Sequence, residues 1–359
     1  MAKIDRFFHL VKEQDASDIH FAAGSPPKIR LHGDLEPIVG EPVIPHNELV
    51  ELLFEIIGPA QKAKFLEKHD LDFAHGLEGV ARFRCNYLLQ RTGMGGIFRL
   101  IPEKIRNVEE LGLPKAIEKL AHLHAGLVLV TGPTGSGKST TLAAIIDVIN
   151  ISYNKHILTI EDPIEFVHQN KSCLITQREV GVDTKSFSNA LRAAGREDAD
   201  VVLVGEMRDL ETISLALTLA ETGQLVFGTV HTNSAAKTID RIVDVFPPDQ
   251  QNQVRIMMSD SLKGIVSQQL LRTKDGKGRV AVNEILFGSP ALSTIIREGK
   301  IQQITSIIQA GKNEGMQTID NALTDLVHKG VISAEEAHAK AFDKKPFEFL
   351  IKQQQQAHY

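Results

Sequence analysis

A short apolar run that enters a glycine-rich turn constrains the fold of this chain more than any other feature. Residues 126–131 lead into Gly132-Pro133-Thr134-Gly135-Ser136-Gly137-Lys138-Ser139-Thr140, which contains the phosphate-binding pattern GxxxxGKS. The glycines let successive backbone N–H groups face a polyphosphate, and a helix beginning near Lys138 adds its positive end. We expect Lys138 to reach the β- and γ-phosphates and the Ser139 hydroxyl to hold Mg²⁺. The sequence therefore predicts a nucleoside triphosphate site at residues 132–140.

After this loop, short apolar runs alternate with helical patterns, as a largely parallel RecA-like α/β core requires. The predicted strands are Leu127–Thr131, His156–Ile160, Val201–Val204 and Leu225–Thr229. Each run is nearly all apolar, which is typical of strands covered on both faces. Asp209 is a favourable N-cap for a helix that continues to about residue 221. We further expect a long helix over 249–271, a hairpin turn at 275–278 and helices from Pro290 onward.

The N-terminal part of the chain shows mixed helical and alternating patterns, and we expect one α+β domain over residues 1–103. Residues 104–123, which include Pro114, are predicted to connect it to a second domain at 124–359. Four residues rich in glycine, Gly93–Gly96, are predicted to form a turn between two strands. The sequence therefore indicates two domains, of which the second carries the phosphate loop.

Several arginines of the N-terminal domain fall on alternating segments. Arg82 and Arg84 share one face of a predicted strand because successive side chains point to opposite sides. Arg91 and Arg99 follow within the next hairpin. The pattern fits a solvated strand face as well as an arginine set that meets a phosphate, and it does not choose between the two.

Polar residues follow three of the predicted strands of the second domain where each strand ends. Glu161 and Glu165 follow the second strand, Glu206 the third and His231 the fourth. Because ligands of parallel sheets bind at the carboxyl ends of the strands, these side chains are candidates for catalysis. Glu206 is the better candidate to position an attacking water, while Gly205 replaces the usual Walker B aspartate, so metal binding falls to Glu165 or Glu161. His231 fits either a γ-phosphate sensor or a structural histidine.

Composition disfavours several classes of protein. A net charge of −5, 5% aromatic residues and no tryptophan disfavour direct binding of nucleic acid. Two cysteines can form neither a four-cysteine zinc site nor a disulfide framework. No apolar run reaches membrane-spanning length, and the N-terminus lacks the apolar region of a signal peptide. We therefore expect a soluble cytosolic protein.

Taken together, these motifs resemble the retraction ATPases of the type IV pilus in the type II/IV secretion ATPase superfamily. The resemblance covers nearly the whole chain. The matching segments are 17–20, 82–102, 132–139, the "Asp box" 160–165, the atypical Walker B 204–209, the "His box" 228–232, 235–241 and 291–298.

The resemblance implies a PAS-like N-terminal domain, a RecA-like P-loop ATPase domain with a helical C-terminus, and ATP bound between them in a homohexameric ring. The implied function is a motor that hydrolyses ATP, with Mg²⁺, to power retraction of type IV pili in twitching motility. Its implied partner is the inner-membrane platform protein of the pilus. The motor would act at the cytoplasmic face of the inner membrane and contact the membrane only through the pilus machine.

The resemblance also implies roles for individual residues. Glu206 would polarise the attacking water, Glu165 would help at the Mg²⁺ side, and His231 would lie close by. Arg84 and Arg99, with Arg82 or Arg91 as further candidates, would reach the phosphates when the N-terminal domain closes.

Three alternatives to the retraction motor are an extension-type or type II secretion ATPase, a nucleic-acid translocase, and a non-enzymatic module that only binds nucleotide. Extension ATPases usually carry an additional N-terminal domain and a four-cysteine zinc site, so the short N-terminal region and two cysteines favour disassembly of the pilus. The chain also departs from the family at Gln224, Gly195 and Ala199. Because glycine weakens helices, the helix near Gly195 is expected to be looser or broken.

Overall fold

The computed structural model of the chain describes residues 2–31, 33–101, 104–276 and 278–356. It divides into two compact units, Met1–Lys104 with Pro163–Val167, and Ile105–Asp162 with His168–Tyr359. The expected domain end at residue 103 and the hairpin residue Lys277 lie outside the described residues. Within those residues, every helix is too short or too polar to cross a membrane.

The N-terminal unit is built on a six-stranded antiparallel sheet in the spatial order β3-β2-β1-β6-β5-β4. Its strands are β1 (Asp18–Ala22), β2 (Lys28–Leu31), β3 (Asp34–Pro37), β4 (Asp70–Leu77), β5 (Ala81–Gln90) and β6 (Gly93–Ile101). Its helices are α1 (Asp5–Glu13), α2 (His46–Phe54) and α3 (Pro59–Lys68). Phe8, Phe83 and Phe98 are fully buried in its core, and the Phe8 ring packs against the other two. This α+β arrangement leaves the opposite face of β5, with Arg84, exposed.

The turn predicted at Gly93–Gly96 is wrong, because these residues begin β6. The turn lies just before them, at Arg91 and Thr92, because Gln90 at the end of β5 pairs with Gly93 at the start of β6. A side chain at Gly96 would place its Cβ 3.0 Å from Leu53 of α2. These glycines therefore allow a close approach of α2 to the sheet instead of a turn.

The C-terminal unit contains a seven-stranded sheet in the order β13-β12-β7-β11-β10-β8-β9, in which only β13 is antiparallel to its neighbour. The strands are β7 (Gly126–Thr131), β8 (His156–Glu161), β9 (Leu174–Glu179), β10 (Val201–Val204), β11 (Leu225–Val230), β12 (Leu262–Arg272) and β13 (Arg279–Phe287). The four predicted strands are confirmed as the contiguous centre of the sheet, β7-β11-β10-β8. Apolar side chains cover both of its faces.

Helices flank this sheet and complete the C-terminal region. They are α4 (Lys138–Ser152), α5 (Phe187–Ala194), α6 (Leu210–Glu221), α7 (Ala235–Asp244), α8 (Gln251–Ser261), α9 (Pro290–Glu298), α10 (Ile304–Ala310), α11 (Ile319–His328), α12 (Ala334–Lys340) and α13 (Lys345–Gln356), with 3-10 turns at Lys115–His122, Ile301–Gln303 and Gly311–Glu314. Asp209 is confirmed as the N-cap of α6, since its carboxylate accepts from the Thr212 N–H. Gly195 is the C-cap of α5, so the helix ends there and does not continue through the glycine.

The long helix predicted over 249–271 is wrong. Helix α8 ends at Ser261, and the following residues form β12, which pairs with β7 on one side and β13 on the other. Ile265 and Val266 are fully buried on opposite faces of the sheet. A continuous apolar run fits a buried strand as well as a helix, and here the pairing with two neighbouring strands decides. The edge strand β9 was not predicted, because its mixed polar residues lack a clear period.

Candidate nucleotide-binding site

The phosphate loop connects the end of β7 to the start of α4. Gly132 and Gly137 have φ angles of 148° and 84°, which residues with a side chain rarely adopt. The ammonium of Lys138 donates to the carbonyl oxygens of Gly132 at 2.9 Å and of Pro133 at 3.0 Å. Lys138 is buried, so its charge stays beside the loop that a polyphosphate would occupy. The arrangement provides a rigid anion-binding cradle with one fixed cation.

Ser139 lies in the first turn of α4, and its donor chemistry fits Mg²⁺ bound together with a nucleotide. The Ser139 hydroxyl has no hydrogen-bond partner in the described part of the chain, so it is available as a ligand. The same part contains no cluster of three or more His, Cys, Asp or Glu residues that would hold a metal alone. Mg²⁺ usually takes one or two protein ligands and completes its shell with phosphates and water. The protein therefore supplies few ligands of its own.

Glu206 and His231, predicted from two different strand ends, meet at the carboxyl edge of the sheet. His231 Nε2 lies 3.0 Å from Glu206 Oε1. The Arg208 guanidinium donates to the same oxygen, and the Glu206 carboxylate raises the pKa of Arg208. The Thr229 hydroxyl donates to the Gly205 carbonyl at 2.5 Å, which joins the ends of β10 and β11. His231 follows β11, the direct neighbour of β7, and Glu206 follows β10, the next strand in the sheet.

Close packing of two strand ends explains why position 205 is a glycine and not the usual Walker B aspartate. A Cβ at this position would lie 3.1 Å from the Ile160 carbonyl oxygen and 3.2 Å from Glu161 Cα, at the end of neighbouring β8. A residue with a Cβ, such as aspartate, would therefore require the end of β8 to shift by a few tenths of an ångström. Glu161 itself is buried and accepts hydrogen bonds from the Thr159 hydroxyl at 2.7 Å and the Gln177 amide at 3.2 Å.

Glu165 is exposed and belongs to the segment Pro163–Val167, which is grouped with the N-terminal unit. Its predicted part in Mg²⁺ binding therefore stays a prediction.

A row of charged residues crosses the exposed face of the N-terminal sheet. Strand register places Arg30, Asp18, Arg99 and Arg84 side by side on β2, β1, β6 and β5. Asp18 is buried, and its carboxylate accepts from Arg99 at 2.7 Å and lies 3.7 Å from Arg30. Arg84 lies directly opposite Arg99, and like charges in that position repel each other. This arginine row therefore has excess positive charge, whereas Arg91 lies apart from it at a hairpin tip.

Two buried polar residues of the β12–β13 hairpin contact the site and are not among the residues predicted from the sequence. The Gln268 side chain bonds to the phosphate loop and to α4. The Glu284 carboxylate accepts from the Ala235 N–H at 2.7 Å, at the start of the helix that follows His231. Burial raises the pKa of Glu284. For Gln268, the available signal is a polar residue inside an apolar run, which the helix predicted over 249–271 concealed.

A cavity of about 430 Å³ lies beside the loop. It is lined by Pro133, His231, Thr232, Asn233, Lys237 and Gln269. The open space adjoins both the first residues of the phosphate loop and the histidine that contacts Glu206. A reacting group placed there would have a cation, a histidine and several amide or hydroxyl groups within its walls.

Comparison with known proteins extends these observations to almost the whole chain. Residues 2–339 match the family described as Type II/IV secretion system protein. The chain is 54% identical to the type IV pilus retraction ATPase PilT of Pseudomonas aeruginosa, over 92% of this chain and 95% of that protein. It is 51% identical to a twitching motility protein of Neisseria gonorrhoeae, over 90% and 86% of the two chains. A crystal structure of the pilus retraction motor PilT with bound ADP superposes with a TM-score of 0.90 and 46% identity, covering 97% and 99% of the chains.

Proposed function

The chain belongs to the type II/IV secretion system protein family, and from that premise we propose that it is a motor ATPase whose ATP hydrolysis powers retraction of type IV pili. The observation that carries the proposal is the Glu206–His231 pair, which joins the ends of β10 and β11 at the same edge of the sheet as a complete phosphate loop. A phosphate loop alone indicates binding, whereas a carboxylate at the adjoining strand ends gives the means to orient a water for attack. The Pseudomonas relative is named a type IV pilus retraction ATPase, which supports the pilus as the structure that this motor moves.

In the proposed reaction, each group of the site has a defined task. The loop N–H groups and Lys138 hold the phosphates of ATP, and the Ser139 hydroxyl contributes to the Mg²⁺ shell together with Glu165. Mg²⁺ would neutralise charge on the phosphate oxygens. Glu206 orients and polarises the attacking water, and His231 holds the Glu206 carboxylate in place at 3.0 Å. No covalent intermediate is needed, because positioning and charge stabilisation suffice for phosphoryl transfer to water.

Arg84 and Arg99 are proposed to contact the phosphates when the PAS-like N-terminal domain closes on the RecA-like domain. Their direct opposition on β5 and β6 supports this role, because an anion between two facing guanidinium groups relieves their repulsion. The Asp18 carboxylate, directly across from Arg99 on β1, orients Arg99 through an ion pair at 2.7 Å.

The proposed assembly is a homohexameric ring at the cytoplasmic face of the inner membrane, which drives the pilus platform protein. The proposed domains are residues 1–103 and 124–359, with a linker at 104–123. Light scattering of the purified chain with Mg²⁺-ATP tests the assembly. A mass six times that of the monomer is expected, and a monomer at micromolar concentration would contradict the ring.

The function is tested in cells by imaging fluorescently labelled pili after deletion of the gene and after its replacement by the Lys138→Ala form. We expect pili that extend but no longer shorten in both strains, with retraction restored by the wild-type gene. Pili that disappear from the surface would instead identify an extension motor. Unchanged pilus dynamics would overturn the proposal.

A further inference from the structure

One buried glutamine connects the phosphate loop to a hairpin far from it in sequence. We propose that Gln268 is a positioning residue that holds the phosphate loop in its nucleotide-binding conformation by tying the loop to the β12–β13 hairpin. The inference rests on the proposed function, since it concerns the same nucleotide site.

The hydrogen bonds of Gln268 use both ends of its amide. Nε2 donates to the Ser136 carbonyl oxygen at 2.7 Å. Oε1 accepts from the Thr141 hydroxyl at 2.8 Å and from the Asn283 amide at 2.9 Å. Gln268 is 2% exposed, and its three partners are also buried. One buried side chain therefore joins the loop, the first turns of α4 and strand β13.

The bond to Ser136 sets the direction of the next N–H group. In a trans peptide, the carbonyl oxygen and the following N–H point in opposite directions. Because the Ser136 carbonyl is fixed toward Gln268, the Gly137 N–H is turned away from Gln268 and is left to face a phosphate. The phosphate-binding pattern depends on N–H groups aimed in this way. Gln268 therefore acts on the nucleotide through the backbone and does not itself touch it.

The loop glycines are fitted to the same residue. A Cβ at Gly132 would lie 2.2 Å from the Gln268 carbonyl oxygen, and a Cβ at Gly137 would lie 2.9 Å from its Nε2. Two glycines of the motif thus leave space for Gln268 as well as for phosphate. The loop and β12 approach so closely that a change in one must shift the other.

Other residues at position 268 would not reproduce this arrangement. Glutamate at neutral pH offers two acceptors and would turn one of them toward the Ser136 carbonyl oxygen, whereas methionine keeps the shape without the hydrogen bonds. When protonated, glutamate regains a donor for Ser136 and an acceptor for Thr141. This difference gives a signature that loss of packing alone would not produce.

The test compares Gln268→Met and Gln268→Glu with a matched control, Ser267→Ala. Ser267 is the preceding residue of β12, is equally buried and bonds at 2.8 Å to the Thr131 hydroxyl instead of the loop. ADP affinity is measured with each full-length chain, together with the KM and kcat for ATP and the denaturant midpoint. Thr141→Val provides a milder loss of one bond if the Gln268 variants do not fold.

We expect Gln268→Met to weaken ADP binding and raise KM by about tenfold, with kcat changed much less, because loop contacts act on bound ATP before and during reaction. Thr141→Val should also weaken ADP binding and raise KM, by a smaller factor. Gln268→Glu should recover ADP affinity, relative to wild type at each pH, as pH is lowered from 8 to 6. Ser267→Ala should keep the wild-type affinity despite a lower denaturant midpoint.

The proposal is overturned if Gln268→Met binds ADP as wild type does, or if all variants lose affinity only in proportion to their stability. A flat pH profile for Gln268→Glu would equally contradict it. A wild-type chain that binds ADP but hydrolyses no ATP would contradict the proposed function. The ADP affinities of wild type and the Gln268 variants would still decide the role of Gln268.

Discussion

The phosphate loop and the arginine row both present positive groups to an anion, but the chain builds them in different ways. The loop uses backbone N–H groups and Lys138 within nine consecutive residues, and its cation is buried. The row brings Arg30, Arg84 and Arg99 together across three strands, and Asp18 on a fourth strand orients two of them. A loop with a buried, fixed cation suits a site formed before the nucleotide binds, whereas exposed arginines suit contacts that form and break during a cycle.

The largest effect is expected at the loop. Replacing Lys138 by alanine removes its buried cation, so ATP turnover should fall by roughly 10²–10³-fold. The far-ultraviolet circular dichroism spectrum should stay unchanged. Steady-state turnover measures the effect, and a loss of less than about threefold would show that the lysine is not a phosphate ligand.

A smaller effect is expected in the arginine row. Arg84→Ala should lower ATP turnover by roughly 10–100-fold and leave ADP affinity nearly unchanged, because the row is proposed to act on the closed, reacting state. Arg6→Ala is the control, since Arg6 is an exposed arginine of the same unit that pairs with Glu41 at 2.7 Å. If both variants lose activity equally, the loss reflects general charge and not the position of Arg84.

The smallest effect on activity is expected at His168, which lies in neither cationic region. Burial lowers the pKa of His168 from 6.5 to about 4, so the folded protein holds a neutral imidazole. A lowered histidine pKa contributes stability that is complete above pH 6.5 and is lost as pH falls toward 4. Between these values, the free energy of unfolding should decrease by up to about 3 kcal/mol from this residue.

The measurement is denaturant unfolding of wild type and His168→Gln at pH 7 and pH 4.5. The variant should lose less stability between the two pH values than wild type does, whatever its stability at pH 7. Parallel losses in both proteins would show that other groups dominate the acid response.

The same comparison explains which features could be predicted from the sequence. The phosphate loop, the central strands and the Asp209 cap depend on neighbouring residues, and they could be predicted. The row depends on register between strands, which no single segment encodes. The sequence predicts Arg84 and Arg99 as site residues, but neither their direct opposition nor the ion pair of Asp18 with Arg99 follows from it.

Gln268 shows a second limit. Its run is apolar enough for a buried helix or a buried strand, and the pairing of β12 with β7 and β13 decides the matter. Once the run was assigned to a helix, a glutamine within it had no evident partner. The long-range contacts to Ser136 and Thr141 exist only because β12 lies beside the loop.

The central claim is that Glu206, held by His231, directs hydrolysis at this phosphate loop. Its most direct test is steady-state ATP turnover of wild type and Glu206→Gln, with ADP affinity measured for both. The account predicts that the variant binds ADP within about twofold of wild type and loses at least about tenfold in turnover. Equal turnover of the two proteins would contradict it and remove Glu206 from the reaction.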